Sequence, residues 1–272
     1  MRQCIVACVT TIAATCASAQ ISLADQSDAM LDALGMPEIV RIMRDEGIAY
    51  GGEMALDLVP GGNTAAWQRA VSDIYDVEAM DAMIRDSFEK SFTVTNADPL
   101  IDFFEGPGAE IVQLELSARR AMIDDRVETA AREAFRDSDG TREPRLELLE
   151  RYVDSNDLIE SNVVGALNAS YQFYLGLVDG GAFEMSENEI VSEVWAQEDE
   201  TRNDTREWLF AFLLLAYEPV DNALLQDFVD LSDTPEGQVM NRALITACNA
   251  MDDDLSYALG VAAAQQLQFQ EL

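Results

Sequence analysis

The chain has 272 residues, with 51 acidic against 17 basic side chains, no histidine and a formal net charge of −34. A surface this acidic repels phosphate backbones and anionic headgroups, which argues against nucleic-acid binding and against docking on an anionic membrane. Without imidazole there is no Ser-His-Asp triad, Cys-His dyad, helical histidine zinc site or Glu-x-x-His di-iron site, while a hydrophobic fraction of 49% indicates a packed core.

Residues 1–19 read as a secretory signal. Arg2 is a minimal positive start, Ile5 to Ala14 form an apolar stretch, and Ala17-Ser18-Ala19 fits the small-x-small cleavage pattern. Cys4, Cys8 and Cys16 fall inside this segment, so cleavage leaves Cys248 alone and no internal disulfide is possible. Export to a periplasmic or extracellular compartment is the expectation. Leu244, Cys248, Met251 and Leu255 share one helical face, which predicts a core thiol.

Beyond the signal, a 3.6-residue period runs through nearly every segment, so the expected fold is all-α. Short helices are predicted near 26–35 and from Pro37 to about Ile48, then helices over 63–75, 77–92 and 98–105. A long helix is predicted from Pro107 to about Phe135. The turn-rich stretch Asp137-Ser-Asp-Gly140-Thr-Arg-Glu-Pro144 is the predicted boundary between a first half, 20–140, and a second, 141–272. The second half is expected to hold helices over 144–154, 157–178, 187–201, 203–217 and 221–231, and a final long one from Pro235 to about Phe269. Prolines mark many of these starts, because a first helical residue has no use for its N–H. Ser186-Glu-Asn-Glu189 is a capping-box pattern. The run from Trp208 to Tyr217 is apolar on every face but about half the ~20 residues a bilayer span needs, so it reads as a helix surrounded by others.

The two halves echo one another. Phe92, Leu100, Asp102 and Phe103 match Tyr217, Leu225, Asp227 and Phe228 at an offset of 125, and Pro107, Ala109 and Ile111 match Pro235, Gly237 and Val239 at 128. Leu58-Val-Pro-Gly-Gly62 against Leu177-Val-Asp-Gly-Gly181 is a further echo. The expectation is a helical bundle built by internal duplication.

An aromatic residue, an Asp-Phe pair, a short loop and a Pro-x-small turn opening a long helix together resemble a bacterial family catalogued as domain of unknown function family 2059. The second copy carries the pattern on Phe228, Thr234, Pro235 and Gly237; the first keeps Phe103, Phe104 and Pro107 but has Gly106 and Ala109 where a hydroxyl cap and a glycine are wanted. The resemblance implies a small, exported, all-helical module and no catalytic residue. Physically the motif is structural: Thr234 caps free amides, Pro235 presets the first turn, and Gly237 permits close approach.

Chemistry is sparse. The paired glycines at 51–52, 61–62 and 180–181 lack the strand and lysine of phosphate-binding loops. Setting Gly140 at the sixth position of a calcium loop puts Phe135 first and Leu146 twelfth, which fails. No catalytic, metal-binding or cofactor-binding residue can therefore be named. The leading expectation is a non-catalytic module that binds a periplasmic protein or an apolar ligand. Trp67, Trp195 and Trp208, with Phe103, Phe104 and Phe228, are candidates to line a groove between the halves, against the competing reading of ordinary core. The alternatives are a carboxylate-dependent hydrolase of cell-envelope material, which needs only an acid and a base or nucleophile, and a self-associating structural or stress-related envelope protein.

Overall fold

A computed structural model describes residues 23–59 and 61–268; the signal segment and its cleavage point at Ala19 lie outside the described residues. Within them the fold is all-α, with thirteen helices and no strand. These are α1 (Leu23–Ala33), α2 (Met36–Leu58), α3 (Ala65–Ile74), α4 (Val77–Ser91), α5 (Asp98–Glu105), α6 (Ala109–Ala121), α7 (Asp125–Ser138), α8 (Pro144–Ser155), α9 (Leu158–Asp179), α10 (Glu187–Trp195), α11 (Glu198–Tyr217), α12 (Asn222–Ser232) and α13 (Pro235–Gln268). No helix among the described residues is long and apolar enough to cross a membrane.

Local chemistry sets the starts. Thr64, Asp76, Asp124 and Asp221 accept hydrogen bonds from free amides at the heads of α3, α4, α7 and α12, and Ser186 with Glu189 completes a capping box on α10. Prolines sit in the first turns of α2, α5 and α8, and Pro235 is the first residue of α13. Two ends are capped from outside. The Arg44 guanidinium on α2 donates to the carbonyls of Ser72 (3.1 Å) and Tyr75 at the end of α3. Arg145 on α8 donates to the carbonyls of Tyr217, Glu218 (3.2 Å) and Val220 (2.8 Å) at and beyond the end of α11. Both satisfy carbonyls that a helix terminus leaves without an internal partner.

Two expectations are corrected. The long helix predicted from Pro107 to Phe135 is two helices: Pro107 lies in a turn before α6, and the chain breaks at Met122–Asp124, where the Asp124 carboxylate caps α7. Conversely, α2 runs ten residues past the predicted stop at Ile48, straight through Gly47, Gly51 and Gly52.

The largest buried cluster draws on both sides of Gly140, from Met30 and Phe135 through Leu146 to Leu255. At its centre Phe228 packs against Phe104 (centroids 6.3 Å), Tyr152 (5.0 Å) and Tyr217 (5.8 Å), tying α12 to α5, α8 and α11. The long helix α13 packs most extensively on α9 and also on α4, α3 and α12. A second cluster, with Trp67, Val71, Met54, Leu177 and Leu259, joins α2 and α3 to α9 and α13. Two buried polar pairs tie helices together: Asn241 on α13 donates to Asn156 Oδ1 at 2.7 Å, and Trp67 Nε1–H donates to the Gly51 carbonyl at 2.7 Å. Such buried pairs fix how helices sit on one another, since sliding would strand each polar group.

Candidate functional site: a cleft along α9 and α13

The α9–α13 pair is unusually close. A Cβ on Gly260 would lie 2.2 Å from the Phe173 carbonyl oxygen, and one on Gly176 would lie 2.3 Å from that of Tyr257. Earlier on α9, Gly165 receives the side chain of Asn249, which donates to the Ser161 carbonyl at 3.2 Å. Small residues on the same face of α9 (Gly165, Ala166, Ala169 and Ser170) leave a groove above the helix pair, and Phe173, Tyr174 and Leu177 continue it as an apolar wall.

The opposite wall comes from α2 and α3. Tyr50 and Leu58 of α2, Tyr75 at the end of α3, and Phe183 from the turn after α9 complete a cavity of about 690 Å³. That volume is in the range of small-molecule sites. Tyr50, Leu58 and Phe183 are exposed at its edge, with 55%, 39% and 42% of their surface open to water. The α13 side supplies Asn249, Asp252, Leu255, Ser256 and Leu259. A smaller recess of about 250 Å³ continues from it, sharing Tyr50, Tyr75, Asp252 and Leu255 and adding Glu46 and Arg119.

Tyr75 is held from two sides. Its ring occupies the space over Gly47, where a Cβ would come within 2.2 Å of it, and its carbonyl accepts from Arg44. Arg119 on α6 grips Glu46 on α2 through two hydrogen bonds of 2.9 Å, so each neutralises the other. Asp252 has no hydrogen bond or ion pair with any described residue. Burial pushes its carboxyl up to about 6; Arg119 opposes the rise, and Asp253 and Glu46 add to it. Burial likewise drives the Tyr75 hydroxyl upward, and the Asp252 and Tyr50 side chains reinforce the shift.

One turn before Asp252, Cys248 is half-buried and its thiol is pushed up to about 11, by burial and then by Asp252. The thiol stays protonated at neutral pH and is no nucleophile. The three aspartates at 252–254 diverge: Asp252 lines the cleft, Asp253 is half-buried, and Asp254 is exposed. No group of three or more metal-ligating side chains converges among the described residues.

A second raised acid lies elsewhere. Glu115 on α6 accepts from the Tyr217 hydroxyl; burial pushes its carboxyl up to about 7, and the Tyr217 hydrogen bond works against the rise. It does not line the cleft.

The sequence-derived site residues are scattered. Trp67 is fully buried on α3, Trp208 is half-buried and stacked on Phe212 (5.5 Å), and Trp195 is 59% exposed at the end of α10. None of the three lines the cleft, and Phe104 and Phe228 are core residues. Phe103 is half-buried, edge-on to Phe104 at 5.2 Å, with its ring against Gly108. In the second motif Thr234 Oγ1 accepts from the Gly237 amide at 3.0 Å, Pro235 opens α13, and a Cβ on Gly237 would meet the Leu231 carbonyl at 2.2 Å. In the first, Pro107 precedes its helix by two residues.

Asp252, Tyr50, Tyr75, Glu46 and Arg119 were not picked out from the sequence. One signal was present: Asp252 stands four residues after Cys248, with Leu255 and Leu259 at i+7 and i+11, so an acid falls on an apolar helical stripe. Compared with protein-family models, with curated proteins and with solved structures, the chain matches none.

Proposed function

We propose that this is an exported, non-catalytic helical module that binds an apolar small molecule in the α9–α13 cleft. One observation carries the reading: a roomy cavity lined by Tyr50, Tyr75, Phe173, Tyr174 and Phe183, with large apolar side chains left open to water at its edge. Exposed apolar surface around a concavity is costly in a monomer and is a usual mark of a binding site. The signal-like N-terminus and the lone cysteine outside it support export. The matched motifs around Phe103 and Phe228 support descent from a duplicated unit akin to domain of unknown function family 2059.

The test uses N-phenyl-1-naphthylamine, a neutral fluorophore that brightens in apolar sites. The wild-type protein should give a saturable enhancement, and Ala169→Trp, which fills the groove from a partly exposed helical position, should abolish it without changing the far-UV circular dichroism. Equal enhancement in both proteins would sink the reading.

A second reading, a carboxylate-dependent hydrolase, is favoured by one feature. The smaller recess holds two acids, Asp252 and Glu46, and Asp252 has a raised pKa. It requires turnover of a glycosidic or related cell-envelope bond that Asp252→Asn abolishes. No turnover on such material removes it.

A further inference from the structure

We propose that the ligand of this cleft is an organic cation, an apolar or aromatic body bearing one ammonium-type group that pairs with Asp252; the proposal rests on the binding reading above and adds the charge of the ligand. Among the described residues, Asp252 is the one carboxylate lining the cleft, and the only cation acting on it, Arg119, is not bonded to it. Asp252 makes no hydrogen bond or ion pair with a described residue, and Arg119, the cation near it, is already held two-pronged by Glu46 at 2.9 Å. Asp252 is half-buried, and drawing a carboxylate partly out of water without a bonded partner costs free energy that a positive group delivered by a ligand recovers. The same cavity carries the rings of Tyr50, Tyr75 and Phe173. Aromatic faces attract cations, and the combination of aromatic walls with one carboxylate suits an ammonium. Asn249 and Ser256 flank Asp252 on the α13 side of the cavity and offer oxygen acceptors for its N–H groups.

Other ligand classes fit worse. An anion would meet Asp252, with Glu46 and Asp253 close behind and a net charge of −34 around them. A neutral apolar molecule would deepen the desolvation of Asp252 and return nothing to it. A hard divalent ion wants several oxygen ligands, and no group of three or more metal-ligating side chains converges among the described residues.

Three probes of one shape separate these cases: phenylbutylamine, phenylbutanol and phenylbutyrate, titrated by calorimetry in about 150 mM salt, where diffuse surface attraction is screened. At neutral pH the amine should bind wild type at least roughly tenfold more tightly than the alcohol, and the acid should bind most weakly. Asp252→Asn should bring the amine to the level of the alcohol and let the alcohol bind at least as tightly as it binds wild type, since the neutral side chain loses less on desolvation; retained alcohol binding also shows that the cleft is intact. Asp254→Asn removes the same charge from an exposed position and should leave the preference in place. Lowering the pH through about 6 should weaken the amine alone. Of the groups around Asp252, Tyr75, Tyr50 and Cys248 stay protonated and Arg119 stays charged there, while Glu46 and Asp253 are the other acids. Equal binding of amine and alcohol to wild type would overturn the cation proposal and leave the binding reading standing. So would an amine preference that survives Asp252→Asn. Binding of the naphthylamine fluorophore without any of the three probes would have the same meaning. Failure of the fluorophore and all three probes would remove both.

Discussion

Gly260 of α13 rests against the backbone of Gly176 on α9: a Cβ on Gly260 would lie 3.0 Å from the Gly176 Cα and 2.2 Å from the Phe173 carbonyl oxygen. Neither obstacle is a flexible side chain, so relief requires the helices to part. Gly260→Ala is expected to destabilise the fold by roughly 1–3 kcal/mol, the usual cost of overpacking. The same variant should weaken binding of the naphthylamine fluorophore, because these helices form the floor of the cleft. Urea unfolding and the fluorescence titration measure the two effects separately.

Arg145 donates to three carbonyls at and just past the end of α11 and also to Asn222 Oδ1 at 2.6 Å. Arg145→Met keeps much of the apolar stem and removes the donors, leaving the partly buried Val220 carbonyl unmatched, while the Tyr217 carbonyl keeps the Val220 amide. The expected loss is on the order of 2 kcal/mol. Arg145→Lys should recover only part of it, since a single ammonium cannot reproduce the fork. A lysine variant as stable as wild type would show that charge alone suffices.

Glu115 makes stability depend on pH in a definite direction. Its carboxyl sits at about 7 in the folded chain, against an ordinary value of 4.5, so between these limits the folded state holds a proton that the unfolded chain has released. Stability should therefore be highest below about 4.5 and fall as pH rises to about 7, and Asp252, raised from 3.8 to about 6, adds to the same fall. The arginine-paired carboxylates Asp124 and Asp139 lie below their ordinary value of 3.8 and act in the opposite sense, but at lower pH than this window. Glu115→Gln keeps a neutral partner for Tyr217. It should raise stability at neutral pH by on the order of 2 kcal/mol and flatten the slope. A variant with the slope of wild type would mean that Asp252 and general charge repulsion, not Glu115, produce it.

Salt should stabilise the protein. Most arginines among the described residues are already engaged, as in Arg85 with Asp28, Asp32 and Asp81, or Arg132 with Glu128, Asp204 and Glu207. With 51 acids against 17 bases, most carboxylates cannot each have a basic partner of their own. Raising salt from about 10 mM to 500 mM shortens the Debye length from about 30 Å to a few ångströms and should raise Tm. A flat response would show that the pairs already present absorb the repulsion.

Helix identity was legible in the sequence because its signals are local. Pro99, Pro144 and Pro235 fall in the first turns of their helices, and Ser186 with Glu189 forms the capping box its spacing foretold. The errors arose where tertiary contacts overrule local preference. Gly47 and Gly51 leave α2 intact because the Tyr75 ring and the Val71 side chain occupy the space a Cβ would take, at 2.2 and 2.7 Å. The break between α6 and α7 turns on the Asp124 side chain folding back onto the Arg126 amide, which nothing in the periodicity distinguishes from a continuing helix. The cleft was hidden for a related reason. Its walls come from α2, α3, α9 and α13, and only their packing brings Tyr50 and Tyr75 beside Asp252.

The reach of α13 bears on how the chain is made. It packs on α3 and α4 as well as α9 and α12, so early helices wait for partners that leave the ribosome long after them. Contacts this distant in sequence slow folding and deny the early segments a finished core of their own. A nascent chain halted before α13 should remain open to protease and able to thread through a narrow channel, and it should lock only once that helix arrives.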